Sequence, residues 1–152
     1  MSKSYNNSLI SQSRHTGIIV NDMKKSVYFY KNILGFKQLQ DYIDDSDYIN
    51  NVLGIKNGQI RMVKLQAKDG YIIELLKYLS HDTKLLNIPF YNVGICHLAF
   101  TISDSSLMYE RLRREKVKII SKPLLSSEGT VKVFFCEDPN NIRIELVEIL
   151  AV

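Results

Sequence analysis

The chain has little cysteine, little histidine and no long apolar run, and each shortage narrows what the protein can be. There are two cysteines, Cys96 and Cys136, too far apart for any CxxC-type motif, so they read as buried thiols of a reducing compartment rather than as a disulfide or thiolate-metal framework. No run approaches the ~20 apolar residues of a membrane-spanning helix, so no membrane partner is expected. Residues 1–13 are polar and rich in Ser and Asn, without an apolar stretch of signal-peptide length. They are expected to form a disordered tail, and the protein is expected to be cytoplasmic. No block of like charge occurs. Lys and Arg number 20 against 16 Asp and Glu, a net charge of +4, and they are spread along the chain. The densest basic cluster, Arg111, Arg113, Arg114, Lys116 and Lys118, is interleaved with Glu110 and Glu115. That is the pattern of a solvated helix face, and no nucleic-acid partner is expected. The slight basic excess favours anionic small-molecule substrates.

What remains is an ordinary soluble composition, 45% hydrophobic and 24% charged over 152 residues, enough for one domain with a real core. Within it one pattern occurs twice. His15-Thr16-Gly17-Ile18-Ile19-Val20-Asn21-Asp22 recurs as His97-Leu98-Ala99-Phe100-Thr101-Ile102-Ser103-Asp104. Each copy is followed by a helix-like stretch and is closed by a Glu among aliphatics, first in Tyr71-Ile72-Ile73-Glu74-Leu75-Leu76 and then in Ile142-Arg143-Ile144-Glu145-Leu146-Val147. An internal repeat of this kind decides the fold before any local reading does.

The local signals agree with two βαβββ modules, 14–78 and 94–149, in a single α+β domain over residues 14–149. In the first, Arg14 to Val20 reads as a strand and Asp22 as the N-cap of a helix through about Leu34, with Val27, Tyr30, Ile33 and Leu34 on one face. Gly35 stands at the helix C-cap, Phe36 to Tyr42 reads as a strand, and Ile60 to Ala67 and Tyr71 to Tyr78 form a hairpin around Lys68-Asp69-Gly70. The intervening Asp44 to Asn57 reads as an irregular insertion of the kind that carries binding specificity. In the second, Gly94 to Ile102 is a strand, Asp104 caps a helix through about Lys116, Lys118 to Ser121 is a short strand, and Val131 to Cys136 and Ile142 to Ile149 are longer ones. Residues 79–91, with His81, form the linker.

Alternation along a strand puts His15, Gly17 and Ile19 on one face and His97, Ala99 and Thr101 on the matching face of the other module. Small residues beside each His leave room for a ligand. Glu74 and Glu145 lie in apolar runs, where an unpaired carboxylate costs several kcal/mol. Salt bridges to Arg61, Lys64 or Arg143 are one solution, and a shared metal is the other. Two of the chain's three histidines head the two repeats, which favours the metal. His15, Glu74, His97 and Glu145 are therefore the candidate ligands of one divalent ion, since two imidazoles and two carboxylates suit a first-row metal and neutralise its charge. Such an ion acts as a Lewis acid on a carbonyl, and a carboxylate beside it can take a proton from the adjacent carbon, a role that falls to Glu145 and Glu74. Glu148 reads as a surface residue.

These residues resemble the vicinal oxygen chelate superfamily, which includes glyoxalase I, methylmalonyl-CoA epimerase, extradiol dioxygenases and the fosfomycin and bleomycin resistance proteins. The likeness is carried by His15 to Met23, Ser26 to Phe36, Gly94 to Phe100 and Glu137 to Glu148, nearly the whole chain. It implies paired modules whose curved mixed sheet surrounds a metal-centred cleft, closed within one chain or across a homodimer. It implies that His15, Glu74, His97 and Glu145 occupy the four ligand positions. Dioxygenases and fosfomycin resistance enzymes typically use only the three matched by His15, His97 and Glu145, whereas glyoxalase I matches all four. The resemblance therefore implies a lyase or isomerase using Ni, Co, Zn, Mn or Mg, with an Fe(II) dioxygenase or a non-enzymatic small-molecule binder as alternatives. The substrate is a small molecule, anionic or a thioester or thiol adduct. Ile19 stands where bacterial glyoxalase I usually has an Arg that contacts glutathione, which argues against glutathione as the thiol.

Overall fold

The computed structural model describes residues 9–87, 89–94 and 97–150. The α+β class and the two-module plan are as expected. The first module runs β1 (Thr16–Ile19), α1 (Met23–Val27) continued by a π-helical turn (Tyr28–Ile33), β2 (Lys37–Asp44), α2 (Asp47–Leu53), β3 (Ile60–Gln66) and β4 (Ile72–Tyr78). The second runs β5 (His97–Ile102), α3 (Ser105–Arg114), β6 (Leu124–Leu125), β7 (Val131–Glu137) and β8 (Arg143–Ile149). The strands make two separate four-stranded mixed sheets, ordered β1-β4-β3-β2 and β5-β8-β7-β6. In each, the first strand pairs parallel with the last, and the other pairings are antiparallel.

Both helices after the His strands start where the aspartates predict. Asp22 accepts from the Lys25 N–H at 3.0 Å and Asp104 from the Leu107 N–H at 2.8 Å, so each satisfies an amide that the first turn leaves unpaired. The first helix then loosens into its π turn, with Leu34 N–H reaching the Phe29 carbonyl. This widens the buried stripe beyond the expected one. Met23, Phe29, Tyr30 and Ile33 are buried, while Val27 and Leu34 are only partly so. Gly35 follows with φ 85°, the left-handed conformation that ends the element.

Three expectations are corrected, and one lies partly outside the described residues. The stretch from Asp44 to Asn57 is not wholly irregular. Ser46 caps α2 by accepting from the Ile49 N–H, and Gly54 closes it at φ 65°. Lys118 to Ser121 forms only a bridge, Ile119 to Cys136, and the edge strand resumes as β6 after Pro123, whose ring removes a ladder donor. The strand beginning the second module is described only from His97, and Cys96 lies outside the described residues. Glu148 is not a free surface residue. Its Oε2 accepts from the Ser105 amide and hydroxyl, which holds its carboxyl below the usual range and ties β8 to the start of α3. Cys136 is buried and unpaired, as expected.

One core joins the two modules. It takes Ile18, Val20, Val63, Leu65, Ile73 and Leu75 from the first sheet, and Phe134, Cys136, Ile144 and Leu146 from the second. Helical Met23, Phe29, Tyr30, Ile33 and Leu112 complete it. Across the junction, Phe36 and Tyr71 both contact the Phe100 ring, at 5.5 and 6.0 Å between centroids, within the range of favourable aromatic pairs. Each sheet thus turns one face to this core and leaves the other face outward.

Candidate metal centre

The outward faces carry the repeat. In β1, Ile18 is 4% exposed while Gly17 and Ile19 are exposed, so His15, Gly17 and Ile19 share the outer face as strand alternation requires. In β5, His97, Ala99 and Thr101 are exposed and the residues between them are half-buried. The parallel ladders then align the closing glutamates identically. Gly17 lies opposite Glu74 and Ala99 opposite Glu145. Since Ile73, Leu75, Ile144 and Leu146 face the core, both carboxylates face outward. Their apolar neighbours in sequence belong to the opposite side of the strand.

This register brings each His onto its Glu. His15 Nε2 lies 3.2 Å from Glu74 Oε2, and His97 Nε2 lies 3.1 Å from Glu145 Oε2. Two ligand atoms each about 2.1 Å from one ion sit about 3 Å apart, so both pairs have the spacing of neighbouring ligands. The four residues do not converge within one chain. Among the described residues, no group of three or more His, Cys, Asp or Glu side chains is placed to hold a metal. The reason is the shared core, which draws the inner faces of the two sheets together and leaves the faces that carry the His–Glu pairs outside.

The halves differ in their surroundings. Lys64 lies opposite Glu74 on β3 and its Nζ is 3.4 Å from Glu74 Oε1, so Glu74 is held by both His15 and Lys64. This salt bridge is one of those the sequence allowed for. A polar hollow of about 290 Å³, lined by Gln12, Arg14, His15, Lys64 and Ile72 among others, opens beside this pair. In the second half Phe135 occupies the position opposite Glu145, and its ring meets His97 edge-on at 5.6 Å. Among the described residues, Glu145 therefore has no ion-pair partner besides His97. Arg61 is engaged elsewhere, doubly bonded to Asp41 at 2.9 and 2.8 Å. Arg143 faces outward two residues before Glu145 and stacks on Phe90 of the linker, 3.7 Å from the ring centroid. No periodic signal points to that contact, because the described residues of the linker form no helix or strand. Among the described residues His81 bonds to its neighbour Ser80 and packs on Tyr78, and it takes no part in either pair.

Residues 12–146 match the model of the glyoxalase/bleomycin resistance protein/dioxygenase superfamily. The lactoylglutathione lyase of Neisseria meningitidis is 26% identical over 139 residues, covering 88% of each chain. That of Salmonella typhimurium is 25% identical over 136 residues, covering 88% of this chain and 90% of its own. A glyoxalase family protein from Bacillus cereus has the same fold, with a TM-score of 0.86 at 18% identity over 99% of this chain and all of its own. A fosfomycin resistance protein from Listeria monocytogenes, solved with Mn(II) and sulfate, aligns with a TM-score of 0.65 at 19% identity, over 93% of this chain and 95% of its own. With the repeated His-to-Glu module in register in both halves, the chain belongs to the glyoxalase/bleomycin resistance protein/dioxygenase superfamily.

Proposed function

We propose that this protein is a divalent-metal-dependent lyase or isomerase that moves a proton at a carbon next to a carbonyl, in a site completed by a second copy of the chain. The carrying observation is the doubled His–Glu pair: two equivalent half-sites, each with one imidazole and one carboxylate within 3.2 Å. Brought face to face from two copies, they make the two-imidazole, two-carboxylate set that suits Ni, Co, Zn, Mn or Mg. The outer edges of β1 and β5, each at the end of its sheet among the described residues, are where such copies can meet. The Mn(II) bound to the Listeria relative supports an ion of this class.

His15, Glu74, His97 and Glu145 would hold the ion, which when bound supplies Lewis acidity to the substrate oxygens. The two carboxylates then divide the work. Glu74, clamped by Lys64 and His15, stays in place. Glu145, with only His97 as a partner among the described residues and the apolar Phe135 opposite it, is the group free to take the proton and return it to the neighbouring carbon. All four ligand positions are filled, Glu74 included, which favours proton transfer over the oxygen chemistry of three-ligand relatives.

The test combines stoichiometry with exchange. Protein purified without chelator or affinity metal is expected to carry one divalent ion per chain and to sediment as a dimer. With the hemithioacetal of methylglyoxal and a small thiol as probe in deuterated water, the native protein is expected to exchange the substrate C–H. Glu145→Gln is expected to keep the fold and most of the metal while exchange collapses. Unchanged exchange in Glu145→Gln would remove the proposed base.

A further inference from the structure

We propose that Arg143, held flat by Phe90, is the residue that binds a carboxylate of the substrate, so that the substrate is an acid bearing an anionic group beyond its chelating oxygens. This rests on the reading of the His–Glu pairs as a chelating site. Arg143 sits opposite His97 in the β5–β8 ladder and shares the outer face with Glu145. Arg143 is half-buried, and among the described residues its one partner is the Phe90 ring. Stacking fixes the plane of a guanidinium and leaves the donors on its edge unspent, and that edge matches a carboxylate in two parallel hydrogen bonds. The acid that could have taken it, Glu137, lies opposite it on β7 but is occupied by Lys118 Nζ at 2.8 Å. A cation without a carboxylate, oriented by an aromatic ring and standing in the row beside a chelating pair, is built for a ligand. Neighbouring strands are about 4.8 Å apart, which sets the bound carboxylate one short carbon chain from the chelating oxygens.

Lys64 does not do the same work in the other half, because its ammonium is spent on Glu74 at 3.4 Å. Phe90 is 51% exposed and edge-packed on Tyr91, so the linker is what poises Arg143.

The test is calorimetric titration of the full chain loaded with Mn(II), using 2-oxoglutarate and its 5-methyl ester, which differ only in the distal charge. The native protein is expected to bind the diacid about tenfold or more tighter than the ester, the step expected of one charge-assisted bidentate pair. Arg143→Gln is expected to abolish that preference with Mn(II) affinity unchanged, and Phe90→Leu to reduce it. No preference in the native protein, or a preference that survives Arg143→Gln, overturns the inference. So does an equal loss for diacid and ester, which would make Arg143 only an anchor for the linker. Should the chain take up no metal, the chelating reading fails by itself. The same two titrations on metal-free protein then decide Arg143, with the same preference and the same loss expected.

Discussion

Tyr30 in the first module donates its hydroxyl hydrogen to Asp138 Oδ2 in the second at 3.0 Å, and both side chains are buried. Asp138 is otherwise saturated. Its Oδ1 accepts from the Asn140 and Ile142 amides, both at 2.8 Å, and its Oδ2 also accepts from Asn140 Nδ2. Asn140 in turn reaches Ser26 Oγ and receives the Asn21 amide. One buried carboxylate thus organises the β7–β8 turn and fastens the two modules. Tyr30→Phe should cost about 1–2 kcal/mol, the value of a buried hydrogen bond to a charged group. Asp138→Ala should cost about 3 kcal/mol or more, because it strands several donors at once. Urea unfolding of both variants checks this, and a smaller loss for Asp138→Ala than for Tyr30→Phe would contradict it.

Alkaline pH should loosen the fold through Cys136. Burial pushes its thiol up to about 12 from an ordinary value of 9.0. The folded form therefore keeps its proton where the unfolded chain has lost it. Stability is full below pH ~9 and falls as pH rises from there through the folded value, with a slope of at most about 1.4 kcal/mol per pH unit for one group. Tyr30, raised above 10.0 chiefly by burial, adds a second loss in the same direction at higher pH. Thermal melts from pH 8 to 11 should show the decline. Thiol-reactive reagents at pH 8 should leave Cys136 unmodified until the protein unfolds.

The small residues of the repeat keep the outer face open. A methyl group at Gly17 would meet Leu76 Cδ1 at 3.4 Å, an ordinary contact. Gly17→Ala should therefore leave stability unchanged or raise it by about 0.5 kcal/mol. Gly17→Phe and Ala99→Phe place bulk beside Glu74 and Glu145 on a solvent-facing side. Both should fold, by circular dichroism, and lose the bound ion by elemental analysis. Full metal content in either would speak against ligation at that half.

The caps can be tested separately. Asp104→Ala removes the acceptor for the Leu107 amide and should cost about 1 kcal/mol. Ser105→Ala frees Glu148 from the hydroxyl partner that lowers its carboxyl. The cost should be larger at pH 7 than in acid strong enough to protonate Glu148, where the hydrogen bond loses its charge. Equal costs at the two pH values would count against the hydrogen bond.

Much of this was legible because it follows from strand alternation. The parity of His15, Gly17 and Ile19, the caps Asp22 and Asp104, and the pairing of each His with its Glu all depend on neighbours along one strand or one ladder. The helix α2 was legible too, in Ser46 and Gly54, but the polar stretch before it hid the signal. The meaning of Glu74 changed more. Flanked by Ile73 and Leu75, it reads as buried among them, yet those residues face the core and Glu74 faces out. Illegible altogether was how the two sheets meet. That depends on Phe36, Tyr71 and Phe100 finding one another and on Tyr30 reaching Asp138, contacts between segments that no periodicity connects.

The division of the two His–Glu pairs between two outward faces also has a genetic consequence. A chain carrying His15→Ala and a chain carrying His97→Ala are each expected to be inactive alone. Where sites form across copies, a mixed assembly of the two contains one site with both lesions and one with none. Coexpressing two dead alleles should then restore activity, whereas a site closed within a single chain offers no such rescue.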